Sequence, residues 1–171
     1  MDIGQKTEKA LRAGGCFWCL EALFKRVPGV LSATSGYSGG SVQNPTYEQV
    51  SKGTTGHAET VEVVFDPAII SYREILGLFW KFHDPTTLNR QGSDIGEQYR
   101  SSIFYLNDDQ RQIAEQSKSA AQTGFDRPIV TAIEPAHTFW LAESWHQNYY
   151  EHNTDAPYCR FVIAPKLAKL R

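Results

Sequence analysis

Short patterns typical of strands alternate with patterns typical of helices along most of the chain, and this alternation constrains the fold most strongly. Residues 58–67 (AETVEVVFDP) alternate valine and phenylalanine with mostly polar residues, which is typical of a half-buried strand ended by Asp-Pro. The next segment has Ser71 and Glu74 at capping-box spacing and predicts an amphipathic helix. Such alternation predicts a two-layer α/β sandwich and leaves the strand order open.

The same criteria predict the remaining elements. Further strands are expected within residues 8–15, 29–40, 99–106 and 128–135, helices within 16–25, 107–124 and 142–153, and one helical turn within 44–53. Asn107 is expected to cap the helix that follows it, and Gly124 to close that helix. The connecting loops are rich in glycine and asparagine, so we expect a functional site to lie on them.

Length and charge limit the possible classes of protein. With 171 residues, 41% apolar and 21% charged, the chain suits a single domain over 1–171, with 1–7 as a flexible tail. A net charge of −2 provides no basic surface for nucleic acid. The sequence has no signal-peptide pattern and no run of ~18 apolar residues, so a soluble cytoplasmic protein, without membrane contact, is expected.

The stretch GGCFWC, residues 14–19, contains two of the three cysteines of the chain. If the glycines form a turn and Cys16 opens a helix, unpaired backbone N–H groups and the helix dipole would favour its thiolate. Phe17 and Trp18 would form an exposed apolar wall beside that sulfur. The alternative is a buried helix start in which Cys16 and Cys19 only pack against their neighbours.

Metal binding is the other chemistry that a C-x-x-C motif can indicate. There is no second C-x-x-C motif and the five histidines are scattered, so no zinc site and no other cofactor is expected. The histidine-containing stretch WHQNYYEHN, residues 145–153, is interpreted as an aromatic helix face at the rim of a pocket.

Acidic and phenolic residues on the predicted loops and strand ends could assist a thiolate. Glu59 begins a strand, and a carboxyl near apolar walls would have a raised pKa that suits proton donation. Tyr47, Tyr99 and Asp94 carry groups that could hydrogen-bond a developing oxyanion or anchor the site. Taken singly, each has a structural alternative, as strand-edge packing, a surface acid or a turn former.

Three long stretches resemble a known family. They are GGCFWCLEALFKRVPGVLSATSGYSGG, NPTYEQVSKGTTGHAETVEVVFDP and FHDPTTLNRQGSDIGEQYRSSIF, in that order. They are similar to the A-type peptide-methionine sulfoxide reductases, which reduce the S epimer of methionine sulfoxide, free or in proteins. The similarity runs from about residue 8 onward. It implies an α+β sandwich with a mixed, rolled sheet in a ferredoxin-like arrangement, and a monomeric enzyme of protein repair under oxidative stress.

The resemblance also implies a role for each candidate. Cys16 would attack the sulfoxide sulfur, Phe17 and Trp18 would hold the substrate methyl group, and Glu59 would protonate the sulfoxide oxygen. Tyr47 and Tyr99 would hydrogen-bond that oxygen, and Asp94 would anchor the site or its water. Cys16 would become a sulfenic acid, which a second thiol converts to a disulfide. Thioredoxin or a similar dithiol would then reduce the disulfide.

The resolving thiol is left open between Cys159 and Cys19. Cys159 lies in a flexible-looking segment, near the place where many family members keep a resolving cysteine. Cys19 stands where the commoner family pattern has glycine, at the spacing of redox dithiols at helix starts. We favour Cys159, with Cys19 as the competing candidate.

Two other functions fit part of these residues. A generic thiol-disulfide oxidoreductase would use the Cys16 and Cys19 pair and would not need Glu59. A non-catalytic module would bind an apolar peptide through Phe17 and Trp18, and its affinity would survive Cys16→Ser.

Overall fold

The fold is described from a computed structural model, over residues 6–170. Most of the tail expected over residues 1–7 therefore lies outside the described residues. The strands are β1 (Glu8–Ala13), β2 (Val30–Ser38), β3 (Ala58–Phe65), β4 (Arg90–Gln91), β5 (Asp94–Ile95), β6 (Ser102–Tyr105), β7 (Ala132–Pro135) and β8 (Trp140–Leu141). The helices are α1 (Phe17–Lys25), α2 (Tyr47–Ser51), α3 (Tyr72–Phe82), α4 (Asp108–Ala121), α5 (Tyr149–His152) and α6 (Ala164–Ala168).

A mixed, open sheet forms the centre of the molecule. Its strand order is β7-β6-β1-β3-β2-β8, and only β6 and β7 run parallel to each other. The chain order β1-α1-β2-β3-α3-β6 and the central order β6-β1-β3-β2 together give a ferredoxin-like arrangement. The expected α+β sandwich with a mixed sheet is confirmed.

The two faces of the sheet are covered unequally. Helices α1, α3 and α4 pack on one face around a large apolar core that includes Phe24, Phe65 and Phe79. A smaller cluster on β1, β3 and β6 is covered by Ala136 and Phe139. Because side chains alternate along a strand, β1 contributes to both layers, and its last four residues, which lead into the turn before Cys16, are buried.

Local capping signals in the sequence are confirmed. The Ser71 hydroxyl accepts from the Glu74 backbone N–H, and the Glu74 carboxylate accepts from the Ser71 N–H, so the capping box fixes the start of α3. The Asn107 side chain accepts from the Gln110 N–H and caps α4. Helix α4 itself ends at Ala121, so the prediction that Gly124 closes it is wrong, and Gly124 instead ends the 3₁₀ turn (Gln122–Gly124) that follows.

The C-terminal third differs from the expectation. The helix predicted over 142–153 is wrong, because Asn148 has a φ of +57° and separates a 3₁₀ turn (Ser144–His146) from α5. A π-helical turn (Cys159–Ile163) and α6 follow, where no helix was expected. The strands predicted over 99–106 and 128–135 are shorter than expected.

No helix within residues 6–170 is both long and apolar enough to cross a membrane.

Candidate active site

Cys16 lies where the central strand β1 turns into helix α1. Gly15 has a φ of +91°, and its N–H donates to the Tyr99 carbonyl over 3.2 Å. Cys16 is the N-cap residue of α1, with extended backbone, but its thiol does not cap the helix. Instead its carbonyl accepts from the N–H of Cys19 at 3.1 Å. The strand, the glycine turn and the helix therefore fix the position of the Cys16 sulfur.

Glu59 supplies the cap that Cys16 does not provide. Its Oε1 accepts from the Phe17 N–H over 3.0 Å, and the residue is 2% exposed. Burial raises the pKa of Glu59 to about 8, although the Phe17 N–H lowers it. The upward shift agrees with the expectation from sequence. At neutral pH the site therefore contains a protonated carboxyl beside the first turn of α1.

The expected downward shift of the Cys16 pKa is wrong. Burial raises the pKa of the Cys16 thiol well above its ordinary value, and the charges of Glu59 and Cys19 raise it further. The backbone N–H of Trp18 and the Tyr158 hydroxyl lower the pKa of Cys16 and only partly oppose this shift. Cys16 is 7% exposed, so the cost of desolvating a thiolate outweighs its place at a helix start. The free protein therefore holds Cys16 as a neutral thiol.

Phe17 and Trp18 do not form the exposed pair that the sequence indicated. Phe17 is fully buried, with ring centroids 5.7 Å from Tyr37 and 5.0 Å from His146. Trp18 is only partly buried and stacks on Tyr149 at 3.7 Å. The prediction of exposure is therefore wrong for Phe17, which packs inside the helical layer. Trp18 is the aromatic residue of the pair that borders solvent.

Tyr47 and Tyr99 both lie near Cys16 and Glu59. Tyr47 begins α2, and its ring centroid lies 6.4 Å from that of Trp18. Burial first, then the charges of Glu59 and Cys16, raise the pKa of Tyr47 to about 12. Burial, followed by the charge of Glu59, also raises the pKa of Tyr99. Both phenols are therefore neutral hydrogen-bond donors near the thiol and the carboxyl.

Asp94 joins the site through Tyr158, which the sequence analysis missed. The Tyr158 hydroxyl donates to Asp94 Oδ2 over 2.7 Å and lies 3.7 Å from the Cys19 sulfur. Burial raises the pKa of Tyr158, and the charges of Cys16 and Cys19 add to the shift. Tyr158 directly precedes Cys159, so only the docking of the C-terminal turns brings it to the site. No sequence pattern around Tyr158 indicates this contact.

The two candidate resolving cysteines pack together. Cys19 is 3% exposed and Cys159 is fully buried, and both belong to one apolar cluster with Ala22 and Ile163. Cys159 lies in the π-helical turn, so the expectation of a flexible segment around it is wrong. All three cysteines of the chain are unpaired. Between Cys19 and Cys159, it is the charge of Cys19 that raises the pKa of the Cys16 thiol.

His146 is a second residue that the sequence reasoning did not place in the site. Its Nδ1 accepts from the Trp18 indole N–H over 2.9 Å, and its ring centroid lies 4.3 Å from that of Tyr47. Burial lowers its pKa to about 4, so the ring is neutral. Glu143 positions two neighbouring tyrosines, because its carboxylate accepts from the Tyr37 hydroxyl and the Tyr47 N–H. The aromatic stretch at 145–153 was the available signal.

This arrangement joins a neutral thiol, a protonated acid and two neutral phenols around an aromatic wall. Within residues 6–170, no group of three or more His, Cys, Asp or Glu side chains could hold a metal ion. A buried thiol beside a proton donor can reduce a substrate that offers an electrophilic sulfur and a basic oxygen.

The family model for peptide methionine sulfoxide reductase matches residues 8–171. The chain belongs to this family. The peptide methionine sulfoxide reductase MsrA of Deinococcus radiodurans is 55% identical over 170 residues, which cover 98% of this chain and 82% of that protein.

Solved structures of the yeast protein Mxr1 extend the comparison. Reduced Mxr1 from Saccharomyces cerevisiae superposes with a TM-score of 0.86 at 33% identity, over 90% of each chain. Mxr1 in complex with Trx2 matches with a TM-score of 0.61 at 25% identity, over 84% of this chain and 85% of that one. The chain is therefore similar to peptide methionine sulfoxide reductases in sequence and to Mxr1 in fold.

Proposed function

We propose that this chain reduces the S epimer of methionine sulfoxide, free or within proteins, to methionine through Cys16. The observation that carries the proposal is the buried, protonated Glu59, whose carboxyl binds the N–H of the residue next to Cys16. A sulfoxide oxygen leaves poorly unless it is protonated, so a reductase of this type needs an acid at this place. Disulfide exchange has no such requirement, which makes a generic thiol-disulfide oxidoreductase a poorer fit.

The first step transfers one oxygen atom. Glu59 protonates the sulfoxide oxygen, Tyr47 and Tyr99 hydrogen-bond it, and the Cys16 sulfur attacks the substrate sulfur. The carboxylate of Glu59 then takes the proton of the Cys16 thiol. The hydroxyl then passes from the substrate sulfur to the Cys16 sulfur as the bond between the two sulfurs breaks. The substrate sulfur gains two electrons and leaves as methionine, and Cys16 loses two and becomes a sulfenic acid. In this mechanism, Trp18 contacts the substrate methyl group and Phe17 supports the wall behind it.

Thiols then remove the oxygen as water. The packing supports Cys19 as the resolving thiol, since it lies one helical turn from Cys16 and its N–H donates to the Cys16 carbonyl. Condensation of the Cys16 sulfenic acid with the Cys19 thiol gives a disulfide and one water molecule. A thioredoxin-type dithiol restores both thiols by exchange and is itself oxidised. The yeast complex of Mxr1 with Trx2 supports this type of reductant.

The biological setting follows from the same features. We propose a monomer with a single catalytic domain, since one family model matches residues 8–171 without interruption. Three unpaired cysteines suit a reducing compartment, and the cytoplasm is our proposed location. There the enzyme would repair proteins whose methionines have been oxidised during oxidative stress.

Turnover of the separate sulfoxide epimers, with dithiothreitol as reductant, tests the proposal. We expect wild-type protein to reduce only the S epimer, Cys16→Ser to be inactive, and Glu59→Gln to lose about 10²–10⁴-fold in rate, the usual contribution of a general acid. Glu62→Gln is the matched control, because Glu62 lies on the same strand and pairs with surface Lys9. Full activity of Glu59→Gln would overturn the mechanism.

Mapping the disulfide after one turnover tests the resolving residue. Without reductant, we expect a Cys16–Cys19 disulfide in wild-type protein and in Cys159→Ser. In Cys19→Ser we expect a sulfenic acid at Cys16 that dimedone traps. Peptide mass spectrometry distinguishes these products. A Cys16–Cys159 disulfide with Cys19 free would restore the preference drawn from the sequence.

A further inference from the structure

A row of buried hydrogen bonds lies beneath the Cys16 turn, outside the group of residues that would touch substrate. His83 Nδ1 lies 2.6 Å from the Phe79 carbonyl, and His83 Nε2 lies 2.7 Å from the Ser101 hydroxyl. The Ser101 hydroxyl lies 2.7 Å from that of Thr131. His83 and Ser101 are each 6% exposed and Thr131 is 1% exposed. Water therefore does not compete for these bonds.

The direction of this row is fixed by chemistry. A carbonyl can only accept, so His83 Nδ1 carries the proton that is donated to Phe79. Burial lowers the pKa of His83 to about 4, so the ring is neutral and its Nε2 is an acceptor. The Ser101 hydroxyl must then donate to His83, and the Thr131 hydroxyl must donate to Ser101. Each hydroxyl has one orientation.

The row connects the segments that present Cys16 and Tyr99. A Cβ on Gly14 would lie 2.9 Å from His83 Cδ2, so the backbone before Cys16 rests directly on the His83 ring. On the other side, Ser101 is two residues from Tyr99, whose carbonyl accepts from the Gly15 N–H. The His83 ring and the Ser101 hydroxyl therefore bind the glycine turn and the Tyr99 segment to one another.

The Thr131 end anchors the row to the sheet edge. The Ala132 N–H donates to the Ser101 carbonyl over 3.2 Å, where β7 begins beside β6. Lys118 of α4 donates to the Thr131 carbonyl over 2.7 Å. The end of the row far from Cys16 is thus held by a strand and a helix that do not touch the site.

We propose that His83, Ser101 and Thr131 are positioning residues, which hold the Cys16 thiol at the place where it meets the sulfoxide sulfur. The inference rests on the proposed reductase function, because its effect is on that reaction. A displacement of about 1 Å can cost about 10²-fold in rate, so a small movement of the glycine turn is enough to matter.

Paired substitutions at Thr131 separate a hydroxyl effect from a packing effect. Thr131→Val keeps the shape and removes the hydroxyl, whereas Thr131→Ser keeps the hydroxyl and removes a methyl group. We expect the first-turnover rate of methionine formation to fall about tenfold in Thr131→Val and in Ser101→Ala, and to stay within about twofold in Thr131→Ser. The KM should change little, since no substrate contact is lost. Loss in Thr131→Ser with retention in Thr131→Val would overturn the proposal.

Alkylation of Cys16 by iodoacetamide, followed by mass spectrometry, tests the same placement without a sulfoxide. Because Cys16 is 7% exposed, a loosened turn should make its alkylation several-fold faster in Ser101→Ala and Thr131→Val, with Cys19 unchanged. Unchanged Cys16 alkylation in both variants would overturn the proposal. Failure of the reductase function gives a different result, in which wild-type protein reduces neither epimer whatever the alkylation rates are.

Discussion

At the scale of single residues, Cys16 and Glu59 form a pair in which both groups are neutral. Burial raises the pKa of both side chains, and the charge of an ionised Glu59 would raise the pKa of Cys16 further. A thiolate in the free protein would be more nucleophilic, but it would also react with other oxidants and disulfides. The neutral pair becomes reactive when a sulfoxide oxygen provides an acceptor for the Glu59 proton.

The pH dependence of the reaction should report the Glu59 carboxyl. Glu59 must be protonated to donate, and its pKa is about 8, so kcat/KM for the S epimer should fall as pH rises through about 8. The initial rates at low substrate concentration, between pH 6 and 9.5, measure this directly. Glu59→Gln should show a low rate without this decline. A wild-type rate that increases up to pH 9.5 would contradict the role of the acid.

The same pKa shift affects stability. Between the ordinary value of 4.5 and about 8, folded protein keeps a proton on Glu59 that the unfolded chain has lost. The free energy of unfolding therefore decreases as pH rises through this range. Glu59→Gln removes this term, so its Tm should exceed that of wild-type protein by more at pH 8 than at pH 5. Thermal unfolding of both proteins tests this, and an equal difference at both pH values would argue against it.

At the scale of elements, the turn before α1 decides where the reactive sulfur lies. Gly15 has a φ of +91°, and a Cβ there would lie 2.7 Å from Gln91 Cγ. Gln91 in turn bonds the backbone of Asp84 through both ends of its amide. The conformation and the close approach both require glycine.

Gly15→Ala should therefore impair activity and stability together. We expect a loss of about 1–3 kcal/mol in the free energy of unfolding, the usual cost of a strained backbone. Turnover of the S epimer should fall at least about tenfold, because Cys16 moves with the turn. Gly77→Ala in α3 is the control, since a Cβ there meets nothing within 4 Å. Urea unfolding and turnover measure both effects, and a Gly15→Ala variant equal to the control would refute the argument.

At the scale of the whole molecule, the site joins the centre of the large sheet to a separate two-stranded hairpin. Glu59 belongs to β3 and the turn before Cys16 follows β1, and both strands have strand partners on both sides. Asp94 belongs to the short β4–β5 hairpin, which pairs only with itself. The acid and the nucleophile thus have rigid support, while the Asp94 side can open at lower cost.

Hydrogen exchange should reveal this difference. Amides of β1 and β3 should exchange most slowly, at the rate set by global unfolding, whereas those of residues 90–95 should exchange through local opening. Peptide-resolved exchange with mass spectrometry, run in parallel at two urea concentrations, separates the two routes. Equal protection of the hairpin and the central strands would show that the site opens only with the whole domain.

The amino-acid sequence by itself determined the elements with strong local signals. The capping box at Ser71, the cap at Asn107 and the alternation along β3 each depend on neighbours within a few residues. The GGCFWC stretch also fixed the strand, turn and helix around Cys16. Local periodicity and turn chemistry carry this information, because they need no distant contact to act.

Only the tertiary structure decided the ionisation of Cys16, the burial of Phe17 and the placement of Tyr158 and His146 in the site. Local position predicted a low pKa for Cys16, but desolvation by distant elements outweighs the helix start. Tyr158 and His146 come from a segment more than a hundred residues away, whose short turns have weak local signals. Desolvation and long-range hydrogen bonds depend on which surfaces pack together, and no local pattern in the sequence contains that.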